Sequence, residues 1–175
     1  SLPAPISEQV RKLVAPSTPG GIDGWDVVGA ARLSQLAQTY EISMDFLVYV
    51  LLAHLWECAE HRGAQFMLLP GQRETLRLFF GFNDRERREG DFFSLLSLLS
   101  KILFDNSDTP FVVEISSLKQ RFLDDGLSKN ACFFLENLRR AGATADVSEM
   151  GELCERAEEA LCVLFQRLDF LGRYT

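Results

Sequence analysis

Three side chains that can bind a metal share one face of a predicted helix in the first half of the sequence. They are one cysteine and the only two histidines of the chain: His54, Cys58 and His61. Their i, i+4 and i+7 spacing places them on the same side of a helix, with Glu57 close by. Tetrahedral zinc needs a fourth ligand, which another cysteine of the chain could supply: Cys132, Cys154 or Cys162. A structural zinc site is therefore one open alternative, but we favour a core cysteine flanked by two boundary histidines and predict no metal.

A Cys–His nucleophile pair is a second reading of the same residues, and the surroundings of Cys58 argue against it. The predicted helix around this cysteine is apolar on nearly every side, and an apolar environment raises the pKa of a thiol and limits access to it. The sequence contains no nucleophile elbow, no Walker-type loop and no HExxH pair. Carboxylates at the spacing of a solvated face occupy the last predicted helix: Glu152, Glu155, Glu158 and Glu159. We therefore predict that the protein is not an enzyme and has no cofactor.

Composition and charge narrow the class of protein. Apolar residues make up 47% of the chain and charged residues 25%, which is typical of a globular protein. The net charge of −7 opposes nonspecific attraction to nucleic acid or to an anionic membrane surface. Apolar runs such as Phe46 to Trp56 are shorter than the roughly 18 residues that span a bilayer, so we expect no membrane segment. Four scattered cysteines without a CxxC pair indicate reduced thiols in a cytoplasmic protein.

The elements that must position these residues are mainly helical. Apolar periodicity predicts helices over about 6–14, 26–40, 43–62, 91–105, 117–125, 128–141 and 148–168. Turn formers over 16–24 and mixed charges over 83–90 predict surface loops.

Short β elements are predicted at two places. Residues 65–80 fit either a hairpin around Pro70 and Gly71 or a helix from Gln72 to Phe80. Residues 111–115 form a β-rich run of apolar and β-branched side chains. The expected fold is a mainly α, irregular helical bundle, with a tandem winged-helix-like arrangement as the finer prediction.

The winged-helix prediction depends on a helix-turn-helix spacing that occurs twice. The better copy comprises Phe122, Gly126, Leu127, Cys132 and Leu135, and the other comprises Ala37, Ile42, Leu47 and Val50. In such a motif the glycine turns the chain and the following apolar residues pack inward. The order of elements around the better copy resembles a winged-helix domain over residues 91–142 and, less completely, over 26–80. We accordingly divide the chain into halves 1–90 and 91–175, which can also pack as one domain.

The exposed face of the second helix-turn-helix favours protein over DNA as the partner. Base and phosphate recognition requires polar or basic side chains, and the candidates are Lys129, Asn130, Arg139 and Arg140. Phe133 and Phe134 lie between these candidates on the same predicted helix, and two adjacent aromatic residues on a helix cannot both face one core. The predicted protein-binding residues are Phe79, Phe80, Phe133 and Phe134. We predict a non-enzymatic interaction or assembly module whose partner is another protein or a further domain of the same polypeptide, with a DNA-binding winged-helix regulator as the alternative; an oligomer is compatible with this prediction.

Overall fold

A computed structural model describes residues 2–15, 27–80, 91–141 and 148–174. These residues form α-helices and contain no β-strand. The helices are α1 (Ala4–Val14), α2 (Ala30–Arg62), α3 (Pro70–Phe79), α4 (Phe92–Asp105), α5 (Val113–Ser116), α6 (Leu118–Leu123), α7 (Gly126–Ala141) and α8 (Met150–Arg167). Two 3₁₀ turns cover Gly63–Gln65 and Asp169–Arg173. The mainly helical class is confirmed, while the predicted loops at 16–24 and 83–90 lie outside the described residues.

The predicted strand at 111–115 is wrong, because the segment turns into helix α5. The Ile115 N–H donates to the Val112 carbonyl, and the Ser116 hydroxyl donates to the Val113 carbonyl at 2.6 Å. These local bonds satisfy backbone groups that a strand would need a neighbour to satisfy. The segment is therefore a short helix despite the β propensity of two adjacent valines.

The predicted hairpin at 65–80 is also wrong, and its helical alternative is correct. Pro70 occupies the first turn of α3, where its missing N–H costs nothing. The Leu69 N–H donates to the Gln72 side chain at 2.9 Å, as in a capping box. Pro70 and Gly71 thus begin a helix and do not form a hairpin turn.

Helix α2 runs without interruption through the predicted break at residues 41–43, which removes the first helix-turn-helix copy. The Ser43 hydroxyl donates to the Thr39 carbonyl at 2.7 Å, and the Thr39 hydroxyl donates to the Gln35 carbonyl at 2.7 Å. Both hydroxyls are therefore satisfied inside the helix, and Ser43 is not a cap. Residues 111–115 contain no strand, and α2 has no turn at residues 41–43. The tandem winged-helix prediction is therefore not supported.

The uninterrupted helix is long enough, and apolar enough, to cross a membrane. An 18-residue window within 30–65 has a mean hydropathy of 1.4, and 44% of that window is buried within the protein. The prediction of no membrane segment considered apolar runs shorter than roughly 18 residues. In the structure these runs belong to one continuous helix, so their individual lengths no longer support that prediction. Core helices of globular proteins have the same length and composition.

The described chain forms two compact units, and each draws on both predicted halves. Unit 1 contains residues 1–43 and 122–175, and unit 2 contains residues 44–121. In unit 1 the Gln35 amide donates to the Gln9 side chain at 2.9 Å in the interior, and Arg32 pairs with Glu158 at 2.7 Å. The apolar core of this unit includes Ile6, Leu33, Leu36, Leu135, Ala157, Leu161 and Leu164.

In unit 2, the side-chain amides of Asn106 and Gln72 join the end of α4 to the start of α3. The buried Asn106 accepts a hydrogen bond from the Met67 N–H at 2.8 Å and donates to the Met67 and Ile102 carbonyls, each at 2.9 Å. The Gln72 amide donates to Asp105 at 2.9 Å. These bonds hold the start of α3 to the end of α4 over a core that includes Leu47, Leu51, Phe92, Leu96, Leu99, Ile102 and Leu103.

Candidate functional site

Helix α7 carries most of the predicted site residues, and Asp125 fixes where it begins. The Asp125 carboxylate accepts hydrogen bonds from the backbone N–H groups of Leu127 and Ser128 and from the Ser128 hydroxyl. Arg167 at the end of α8 donates to the same carboxylate at 2.7 Å. The Ser128 hydroxyl, followed by Arg167, lowers the pKa of Asp125 to about 2. The start of α7 is thus tied to the last turn of α8 within unit 1.

The second helix-turn-helix copy is correct in its break and partly wrong in its packing. Helices α6 and α7 are separate, and Cys132 and Leu135 are buried as predicted. Leu127, which was expected to pack inward, is 66% exposed. Gly126 has neither a positive φ nor a close neighbour at its missing Cβ, so the turn does not require glycine. The prediction assigned the turn to that glycine, whereas the structure shows Asp125 accepting from the first N–H groups of the helix.

Helices α7 and α8 pack against each other, and an open apolar groove lies between them. Its cavity volume is about 190 Å³. Helix α7 lines it with Leu127, Asn130, Ala131 and Phe134, and α8 lines it with Arg156, Glu159, Ala160 and Val163. On each helix these positions follow an i, i+3, i+4, i+7 stripe, which is the pattern of an interhelical seam. The groove is a seam that the described residues leave partly open.

Cationic side chains stack on the two adjacent phenylalanines of α7, of which Phe134 lines the groove. The Arg156 guanidinium carbon lies 4.7 Å from the centroid of the Phe134 ring. The Lys129 ammonium lies 5.9 Å from the centroid of Phe133, a ring that is 54% exposed. Such stacking orients a cation over the face of an aromatic ring without removing it from water.

The predicted nucleic-acid residues do not share one exposed surface. Arg139 is buried and pairs with the buried Glu136 at 2.8 Å. Lys129, Asn130 and Arg140 are exposed, and Asn130 also lines the apolar groove. A guanidinium committed to a buried carboxylate is poorly placed to reach a phosphate.

The predicted protein-binding phenylalanines fall into two pairs. Phe134 lines the groove, and Phe133 is the preceding residue on the same helix. In unit 2, Phe79 is buried and makes an edge contact with Phe92 at 5.7 Å between ring centroids. Phe80 remains exposed beside it. The expectation that adjacent phenylalanines leave some rings exposed is confirmed.

The histidine and cysteine face of α2 forms a hydrogen-bonded cluster with the loop after α4. The Phe111 N–H donates to His54 Nδ1 at 3.2 Å, and His54 Nε2 lies 3.5 Å from an Asp108 oxygen. Burial, followed by the hydrogen bond with Asp108, raises the pKa of the Cys58 thiol. His61 is exposed and bonds the Glu57 carbonyl of its own helix. Within the described residues no group of three or more His, Cys, Asp or Glu side chains is arranged to hold a metal ion.

Sequence reasoning missed the α8 half of the groove. Arg156, Ala160 and Val163 fall on the predicted last helix, but only the packing of α7 against α8 shows that they face Phe134. Two alanines, Ala131 and Ala160, on helices otherwise rich in large apolar residues were the available signal.

Comparisons of the chain with protein-family models, with curated proteins and with solved structures give no match.

Proposed function

We propose that this chain is a non-enzymatic protein-interaction module and that the α7/α8 groove is its binding site. The observation that carries the proposal is the open apolar seam, which Leu127 and Val163 border and which Phe134 lines. Exposed apolar clusters edged by polar residues are typical of protein interfaces. The partner is another protein or a further domain of the same polypeptide.

The groove is small in comparison with enzyme sites and small-molecule sites. Pockets for drug-sized ligands usually measure about 300–1,000 Å³, whereas this one measures about 190 Å³. Its polar groups are Asn130, Arg156 and Glu159, and none of them is placed as a nucleophile with a supporting base. Recognition of a side chain fits this shape better than turnover of a substrate.

Site-specific photo-crosslinking in cells tests the proposal. A photoreactive phenylalanine analogue replaces Asn130 or Glu159 in the groove, or Arg140 or Gln166 as exposed controls outside it. We expect both groove positions to capture the same protein and the control positions not to capture it.

A blocking substitution makes this test specific to the groove. Val163→Arg places a long charged side chain in the groove and should abolish capture, while Gln166→Arg makes a comparable change at an exposed position of α8 and should not. Equal capture from groove and control positions, or capture that survives Val163→Arg in a folded protein, contradicts the proposal.

A further inference from the structure

The shape of the groove selects a helix as its occupant. Each wall is a stripe of side chains spanning eight residues of a helix, or about 10 Å at 1.5 Å per residue. Two packed helices that leave such a furrow present ridges on both sides, and a third helix fits it by ridge-into-groove packing. Amphipathic helices laid into apolar grooves are a recurrent mode of peptide recognition.

The volume of the groove fits one aromatic side chain. A cavity of about 150 Å³ accommodates a benzene ring, and this cavity measures about 190 Å³. Ala131 and Ala160 line it, and their short side chains leave this space open. An aromatic ring entering there would contact Phe134. The ring of Phe134 is already stacked with the guanidinium of Arg156. Aromatic anchors in such pockets are typical hot-spot residues.

The charges at the groove give the occupant a direction. Arg156 and Glu159 both line it and lie three residues apart on α8, about 4.5 Å along the helix axis. The ion pair of Arg156 with Glu152 is a 4.0 Å contact between exposed groups, so it contributes little. A partner helix with an acidic residue and a basic residue about one turn apart complements the two charges in one orientation only.

We propose that the groove accepts an amphipathic helix of a partner protein, which inserts one aromatic side chain between α7 and α8. An acidic residue of that helix pairs with Arg156, and a basic residue pairs with Glu159. This inference rests on the proposed function and adds the class of partner and its orientation.

Selection from a displayed library of helical peptides tests the inference. The library is selected on the whole chain, and the enriched peptides are measured against Val163→Arg and its matched control Gln166→Arg. We expect one aromatic residue in the enriched peptides, flanked by an acidic and a basic residue. Affinity should fall about tenfold or more with Val163→Arg, as for a hot-spot contact, and should stay unchanged with Gln166→Arg. Circular dichroism of each variant verifies its fold.

Exchange of the two groove charges provides a second, orientation-specific measurement. The double variant Arg156→Glu with Glu159→Arg keeps the total charge, and both side chains are exposed. Enriched peptides should bind it more weakly, and versions with their own acidic and basic residues exchanged should recover the affinity.

Three results overturn the inference. In the first, no helical peptide is enriched. In the second, the enriched peptides bind Val163→Arg and the wild type with equal affinity. In the third, affinity does not depend on the order of the acidic and basic residues in the peptide. If groove crosslinking still captures a protein in these cases, only the inference fails, whereas loss of that capture as well removes the proposed function. A concentration-dependent dimer that Val163→Arg dissociates would identify a second copy as the occupant and would also overturn the inference.

Discussion

Asp125 is the residue on which the start of α7 depends. Its carboxylate accepts four hydrogen bonds, from two backbone N–H groups, the Ser128 hydroxyl and Arg167. The charged form accepts all four, which is why its pKa falls to about 2 from an ordinary value of 3.8. The groove stripe of α7 begins two residues later at Leu127.

Replacing Asp125 should weaken unit 1 in a pH-dependent way. Because the pKa is lower in the folded state, the carboxylate stabilises the fold above about pH 4, and this contribution disappears as pH falls towards 2. Asp125→Asn should therefore lower the urea midpoint at pH 7, and its difference from the wild type should shrink in acid. Asp124→Asn, at the exposed preceding residue, is the control and should leave the midpoint unchanged. A difference that stays constant from pH 7 to pH 2 would contradict this account.

Leu135 and Lys129 lie on different faces of α7, one buried and one exposed, and should differ in their response to substitution. Leu135 is fully buried and Lys129 is exposed. Truncation of a buried leucine to alanine already costs about 2–5 kcal/mol, so Leu135→Asp, which adds an unpaired buried carboxylate, should unfold the domain. Lys129→Glu should change the free energy of unfolding by no more than about 0.5 kcal/mol. Thermal and urea denaturation measure both, and a folded Leu135→Asp protein would show that this position is not a core position.

At the scale of elements, the segment at the start of α3 depends on the amide side chain of Asn106. Asn106→Ala removes three hydrogen bonds and leaves the Met67 backbone without this partner. The free energy of unfolding should fall by about 1–3 kcal/mol, the cost of an unsatisfied buried group. Amide hydrogen exchange at Met67 should also accelerate. Asn137→Ala, the same change at an exposed position of α7, should produce neither effect.

Helical periodicity predicted most of the helices, because burial of one helical face leaves a repeat in the sequence. The errors, a predicted helix break at Ser43 and a predicted strand at 111–115, arose where residue type does not determine the local hydrogen bonds. Ser43 has the residue type of a helix cap, yet its hydroxyl bonds inside α2, and sequence alone does not distinguish these two uses. Val112 and Val113 have high β propensity, yet a four-residue helix forms there, with its backbone groups bonded locally.

The candidate site was predicted only on one of its two walls. Phe134 and Asn130 were identified on α7 as candidate binding residues, and in the structure Asn130 is exposed and Phe134 is half-buried. Arg156 and Val163 were not identified, because a groove is a property of two packed helices, and periodicity describes one helix at a time. Arg139 was assigned to an exposed surface because charged residues are rarely buried, but a glutamate three residues earlier makes its burial possible.

At the scale of the whole molecule, the net charge of −7 and the buried Arg139 predict no binding to duplex DNA. Binding to mixed-sequence duplex should be undetectable both at about 50 mM and at about 200 mM salt, where a phosphate-contacting protein loses affinity steeply. Fluorescence anisotropy makes the measurement. Binding that weakens between these salt concentrations, and weakens further with Lys129→Glu, would instead identify α7 as a nucleic-acid-binding helix.

The composition of unit 1 from two distant segments affects how the chain folds as it leaves the ribosome. Arg32 pairs with Glu158, 126 residues later in the sequence, so the two sides of this unit are synthesised at different times. Residues 44–121 of unit 2 all emerge before α7 and α8, and domains generally fold as units during synthesis. Leu33, Leu36 and Tyr40 are buried in the finished protein, but the second segment of their unit, residues 122–175, is synthesised last. We therefore expect this apolar part of α2 to be accessible to chaperones until that segment has emerged.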